Sequence, residues 1–211
     1  MLVDRINTFA RRVPVWVIWV LYGSAVPWLL YLGMTGGLGA EPIKALEHEL
    51  GAIALQLLII GLAITPLRRF TGVNLLRFRR AIGLLAFGYV VLHLLVWAVL
   101  DVGALDRVWA DITKRPYIMV GMAGFALMLP LALTSNNAAV RALGPLWRRL
   151  HRLTYVVVLL GAVHFIMLRK GWQLEPLLYL LVICVILGLR LWPRSGIRAR
   201  APEKTGPGSR P

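Results

Sequence analysis

The chain has 211 residues, 59% of them hydrophobic and only 16% charged, with a mean hydropathy of +0.73. That composition excludes a soluble domain built on one core and puts most of the chain in lipid. The net charge of +15 would suit nucleic acid, but the basic residues fall where membrane topology places them, so no nucleic-acid partner is expected.

Crossing a hydrocarbon core takes roughly 20 apolar helical residues. Six stretches meet that measure: 15–34, 50–66, 81–100, 116–134, 153–168 and 175–192. The expected fold is an all-α integral membrane protein, a six-transmembrane helix bundle over 15–192. A cytoplasmic segment, 1–14, precedes it and a basic cytoplasmic tail, 193–211, follows.

The opening stretch RINTFARRVPVWVIWVLYGSAVPWLL has the basic-then-apolar order of a secretory signal. No small-x-small cleavage site stands clearly after a short apolar core, so helix 1 is expected to stay. Helix 2 is entered through ALEHELG, where His48 sits among glutamates near water and reads as solvated or salt-bridged. Arg68, Arg69, Arg77, Arg79 and Arg80 separate helices 2 and 3, and helix 3 then carries His93 within AFGYVVLHLLVWAVL. After helix 4, GPLWRRLHRLTYV sets His151 among arginines, and helix 5 holds His164 in GAVHFIM. Helix 6 contains the single Cys184, which excludes an internal disulfide and a cysteine-based zinc or iron–sulfur site; it is read as packing. The tail RSGIRARAPEKTGPGSRP has no apolar face and is expected to be disordered and drawn to anionic lipid.

Of the 24 Lys and Arg residues, 18 lie on the side of the N-terminus, and seven of the nine acids lie on the other. By the positive-inside rule both termini are cytoplasmic, as an even number of spans also requires. Trp16, Trp109, Trp147, Trp172 and Trp192 fall near helix ends, where an interfacial aromatic belt is expected.

An ionisable group at bilayer depth is costly and is normally turned toward a partner, a water cavity or a cofactor. His93 is the thirteenth residue of helix 3 and His164 the twelfth of helix 5. Both helices run outward, so both imidazoles stand roughly 18 to 20 Å above the cytoplasmic helix ends. Either His alone reads as a residue hydrogen-bonded to a neighbouring helix. The pair at one depth is what bis-histidine heme iron needs. Gly161, three residues before His164, would leave room for a porphyrin, and Tyr89 and Trp97, at i−4 and i+4 of His93, would wall it. His151 lies thirteen residues before His164, about 20 Å along the axis but about 220° around it. The two rings share a face only if the helix starts irregularly near Gly144 and Pro145.

Taken together, GGLGAEPIKALEHELG, AITPLRR, LLRFRRAIGLLAFGYVVLHL, ITKRPYIMVG, LALTSNNAAVRALGPLWRRLHRLTYV and GAVHF make the chain resemble the ferric-reductase-like transmembrane domain. From about residue 5 to residue 192 it is similar to one branch, the heme-binding membrane subunits of the bacterial periplasmic methionine sulfoxide reductase system, the MsrQ or YedZ family. The resemblance implies a multi-pass protein of the bacterial inner membrane. It would carry electrons from the quinone pool through heme b, with FMN also bound, to a periplasmic molybdopterin-containing catalytic subunit that repairs oxidised methionine. His93, His164 and His151 match the family's heme-linked histidines, the first two as axial ligands and His151 as a candidate for a second heme. Two-heme relatives carry a further His in helix 3 where this chain has Arg79 and Arg80, so a second bis-histidine site cannot be built the usual way.

Arg77, Arg79 and Arg80, with Arg148, Arg149 and Arg152 opposite, could bind a flavin phosphate, heme propionates or lipid phosphates. The positive-inside rule accounts for the same residues without a ligand. A Rossmann glycine fingerprint is missing, so the electron donor is expected to be a membrane quinol or a separate protein. The outer loops TGGLGAEPIKALEHE and DVGALDRVWADITKRP are where a periplasmic partner would dock. The competing reading is a small transporter or proton channel with the two histidines as a protonation relay, although the spans offer no Asp or Glu to partner them.

Overall fold

In the computed structural model, which describes residues 1–169 and 173–192, every regular element is helical among the described residues. Six helical spans are long and apolar enough to cross a membrane: Trp16–Met34, Pro42–Thr71, Leu76–Val102, Pro116–Leu133, Pro145–Leu168 and Leu174–Leu191. They coincide with the six expected stretches, but several reach further. The helix of the second span runs 30 residues because its polar end turns keep helical hydrogen bonding beyond the hydrocarbon. It stops only where Gly72, at φ 80°, supplies a left-handed C-cap.

The elements in chain order are α1 (Leu2–Arg12), α2 (Trp16–Gly23), α3 (Ala25–Met34), α4 (Pro42–Thr71) and α5 (Arg79–Leu95). After α5 a π-helical stretch covers Val96–Val102, followed by α6 (Leu105–Lys114) and α7 (Pro116–Leu133). The last four are α8 (Asn137–Leu143), α9 (Pro145–Leu150), α10 (Leu153–Leu168) and α11 (Leu174–Leu191). The first span breaks at Ser24, where Pro27 has no N–H to give to the Gly23 carbonyl; the Ser24 hydroxyl donates to Leu21 O at 3.0 Å. The fifth span breaks at His151 and Arg152.

Helices also stand where the sequence suggested loops: α8 and α9 between the fourth and fifth expected stretches, and α1 and α6. The segment 1–14 forms α1, with Arg5, Arg11 and Arg12 on it, docked on the turn between α4 and α5. Asn7 donates to Gly72 O at 3.1 Å and accepts from the Asn74 N–H at 2.8 Å, and Arg77 donates to the Ala10 and Arg11 carbonyls at the C-terminal end of α1. The loop expected between the third and fourth spans forms α6, with Leu105 and Trp109 exposed. The tail 193–211 and Trp172 lie outside the described residues.

The central element is α4, which packs against α3, α5, α10 and α11. Leu57, Leu62, Ile64, Val158 and Ile183 are fully buried around it. Outward faces such as Leu178, Leu181, Val182 and Val185 of α11 are apolar and exposed, as a lipid-facing surface must be. Pro66 lies inside α4 and cannot donate to the Leu62 carbonyl. Arg190 of α11 takes over that role, its Nε and Nη2 donating to Leu62 O at 3.2 and 2.5 Å while Nη1 donates to the Tyr155 hydroxyl at 2.7 Å. An arginine inside the bundle is thereby matched with the helical carbonyl that Pro66 frees.

Candidate functional site

A cavity of about 380 Å³ opens between α4, α5, α7 and α10. His93 and His164 both line it, their ring centroids 6.3 Å apart and their planes at 84°. The third and fifth spans thus bring the two rings together in one cavity, in an edge-to-face arrangement.

Each imidazole is fixed by the same device. His93 of α5 donates from Nδ1 to the Glu47 carbonyl of α4 at 2.8 Å, and His164 of α10 donates from Nδ1 to the Tyr117 carbonyl of α7 at 2.7 Å. A carbonyl oxygen can only accept, so each Nδ1 carries a hydrogen, and in the neutral ring Nε2 keeps the lone pair. In a helix the carbonyl of residue i points toward residue i+4. A ring bonded to it from the side must therefore lie against residue i+4. Those residues are Gly51 and Gly121. A Cβ on Gly51 would stand 3.2 Å from His93 Nδ1, and one on Gly121 would stand 2.9 Å from His164 Nδ1.

Around the rings the walls are Leu55, Leu58, Val90, Trp97, Phe125 and Phe165. Trp97 meets its expected position. Tyr89 does not: it is buried on another face of α5, where its hydroxyl donates to the Tyr22 carbonyl. Gly161 lines the cavity, and a Cβ there would meet Leu55 Cδ1 at 3.3 Å. At one end the cavity opens through a charged mouth that includes Lys44, His48, Asp101, Arg115, Arg169 and Glu175. His48 is thus at the mouth and exposed, in keeping with a solvated residue. The Tyr117 hydroxyl, accepting from Arg115 at 3.2 Å, and then Asp111 hold the Arg115 guanidinium even more firmly protonated than usual.

His151 does not join this cavity. It stacks on Trp147 with centroids 3.9 Å apart, and its Nε2 lies 3.1 Å from the Thr134 hydroxyl. That hydroxyl already donates to Pro130 O at 2.6 Å, so it accepts from His151 and leaves only Nδ1 of this ring with a lone pair. Trp147, expected in the interfacial belt, is half-buried here and donates to Thr134 O at 2.9 Å. The basic cluster is not a single pocket either. Arg77 is engaged with α1, Arg80 donates to Asn137 Oδ1 at 2.8 Å, and none of Arg77, Arg79 and Arg80 lines the cavity.

Sequence reasoning missed Gly51, Gly121 and Arg169. The signal for the glycines was there: a Gly inside a membrane helix has a propensity cost that calls for a packing reason. Among the described residues no three His, Cys, Asp or Glu side chains stand together as a bare metal ion would need. Two converging neutral imidazoles with free Nε2 atoms can serve as axial ligands to a metal whose other ligands come from a macrocycle.

Comparison with known proteins agrees with this architecture. Residues 11–162 match the family described as ferric reductase like transmembrane component. The chain is 48% identical over 191 residues to a protein of Brucella ovis named protein-methionine-sulfoxide reductase heme-binding subunit MsrQ, covering 89% of this chain and 86% of the relative. Proteins of the same name from Brucella canis and Brucella suis match with the same identity and coverage. No solved structure matches. With the family's transmembrane core and nearly the full length of its relatives, the chain belongs to the MsrQ branch of the ferric reductase-like transmembrane proteins.

Proposed function

We propose that the chain is the heme-binding electron-transfer subunit of a methionine sulfoxide reductase system, with His93 and His164 as the axial ligands of one heme b. The observation that carries this is the pairing of the two rings. Imidazoles bound to opposite sides of one metal ion, each at about 2 Å, hold their ring centroids roughly 6 Å apart, and the separation here is 6.3 Å. The cavity also falls in the size range of cofactor sites, about 300–1,000 Å³.

When bound, heme supplies a one-electron iron couple whose potential the protein sets through axial ligands, burial and hydrogen bonding. The Glu47 and Tyr117 carbonyls fix the tautomer and direction of each imidazole and raise its basicity as a ligand. Leu55, Leu58, Trp97, Phe125 and Phe165 give the space around the rings an apolar lining.

The finer reading follows the family. A membrane quinol donates the electrons, FMN binds at the basic end, both termini are cytoplasmic, and a periplasmic molybdopterin-containing catalytic subunit accepts the electrons and reduces methionine sulfoxide. Supporting the flavin placement, Arg79 is half-buried in that cluster, its side chain making no hydrogen bond or ion pair to another described residue. Supporting the docking face, α6 presents exposed Leu105 and Trp109 beside the charged mouth. The deciding experiment is a visible spectrum of the purified protein, oxidised and then dithionite-reduced, for the wild type, His93→Ala and His164→Ala. Heme bands that shift on reduction are expected in the wild type and lost in both variants. A colourless wild type from heme-replete cells, or variants with a full heme complement, would end the assignment.

A further inference from the structure

We propose that Arg169 is the carboxylate-binding residue of the cofactor site, holding a heme propionate at the charged mouth of the cavity. The proposal rests on the heme reading above.

The cavity is apolar around the rings, with Leu55, Leu58 and Met128 among its walls, and charged only at its mouth. A macrocycle between the two imidazoles must send its carboxylates toward that mouth, because a buried carboxylate needs a paired donor. Three cations line the cavity there: Lys44, Arg115 and Arg169. Two are already engaged. Lys44 Nζ bonds Glu41 at 3.0 Å, and Arg115 pairs with Asp111 at 3.2 Å and donates to the Tyr117 hydroxyl.

Arg169 differs. Its Nη2 lies 3.7 Å from Glu175, too far for a hydrogen bond. Its Nε is buried and has no hydrogen-bond partner, the one such side-chain atom among the described residues. The guanidinium packs over the Phe165 ring, 5.5 Å from its centroid, which limits where the donors can point. Arg169 is five residues past His164 at the C-cap of α10, about 7.5 Å further along the axis. Arg169 lines the mouth of the cavity, and a guanidinium with an unused N–H is the complement of a carboxylate, which it binds in a fork geometry.

The test uses the full chain, purified in detergent from heme-limited cells and titrated with hemin and with hemin dimethyl ester, whose propionates cannot carry charge. The wild type should bind the free acid at least tenfold more tightly, Arg169→Gln should bring the ratio close to one, and Arg169→Lys should fall between. Arg115→Gln should keep the wild-type ratio. In redox titrations Arg169→Gln should lower the midpoint potential of the free-acid form, a tenfold change in the reduced-to-oxidised ratio being about 59 mV. A wild type that does not discriminate overturns the proposal even if Arg169→Gln fails to fold, and so does an Arg169→Gln variant that keeps the wild-type preference. A wild type that binds neither compound overturns the heme reading and this proposal with it.

Discussion

Alanine at Gly121 tests the geometry of the site without touching either histidine. Its new Cβ would lie 2.9 Å from His164 Nδ1 and 3.0 Å from Cε1, against an ordinary contact of 3.4 Å or more, so the ring must retreat by about half an ångström. The retreat stretches the 2.7 Å bond to the Tyr117 carbonyl, worth about 1 kcal/mol, and turns Nε2 off its line. Loss of such a supporting contact costs roughly 10- to 100-fold in metal affinity. At Gly51 the equivalent contacts are 3.2 and 3.3 Å from His93, so alanine there should weaken heme binding only a few-fold. Gly→Ala inside a helix otherwise stabilises it by up to about 1 kcal/mol. Neither variant should therefore melt lower as an apoprotein. The assay is heme titration by absorbance alongside thermal unfolding. Wild-type heme affinity in Gly121→Ala, or a larger loss at Gly51 than at Gly121, would refute the reasoning.

Arg190→Met should lower stability by about 1–3 kcal/mol, since it orphans the Leu62 carbonyl; with Pro66→Ala in the background the loss should shrink, because the introduced alanine supplies the missing N–H, and denaturation of the four proteins checks it. Thr134→Val removes the acceptor of His151 Nε2 and should leave the heme bound between His93 and His164 at wild-type stoichiometry, as pyridine hemochrome analysis would report. Arg79→Gln should lower FMN content by tenfold or more with heme unchanged, measured by flavin fluorescence after extraction; equal flavin in variant and wild type would leave that cluster a purely topological role.

The six spans were legible because lipid imposes one rule, a run of apolar residues long enough to cross, and chain length along a helix gave the common depth of His93 and His164. The depth of a residue follows from counting, whereas its azimuth and its neighbours do not. Tyr89 and Trp97 had equal claims on the His93 face by spacing, yet the shift from α-helical to π-helical hydrogen bonding at Val96 accompanies Trp97 lining the cavity while Tyr89 bonds Tyr22. His151 was readable as one of a set of histidines but not as the partner of Thr134, since that contact joins the ends of two different spans. The helices α1 and α6 were missed because both are amphipathic and short, and a hydropathy window long enough to find spans averages their two faces away. Arg169 was hidden by its position at a helix end, where the charge pattern marks it as topology and only the cavity beside it marks it as a ligand.

The hydrogen bonds at Nδ1 also separate the two classes of function that buried histidines allow. A proton relay needs each imidazole to take up a proton at one nitrogen and release it from the other. Here each Nδ1 hydrogen is directed at a main-chain carbonyl, which does not accept a proton at neutral pH, and that carbonyl is itself part of a helix. Passing a proton along this path would require breaking both anchors, at Glu47 and at Tyr117, in every cycle, and swinging rings that Gly51 and Gly121 hold flush against the backbone. An electron carrier needs the opposite behaviour, imidazoles that stay put while charge changes between them. Two histidines locked by carbonyls from two other helices, with only Nε2 left to act, are suited to holding a metal and poorly suited to moving a proton.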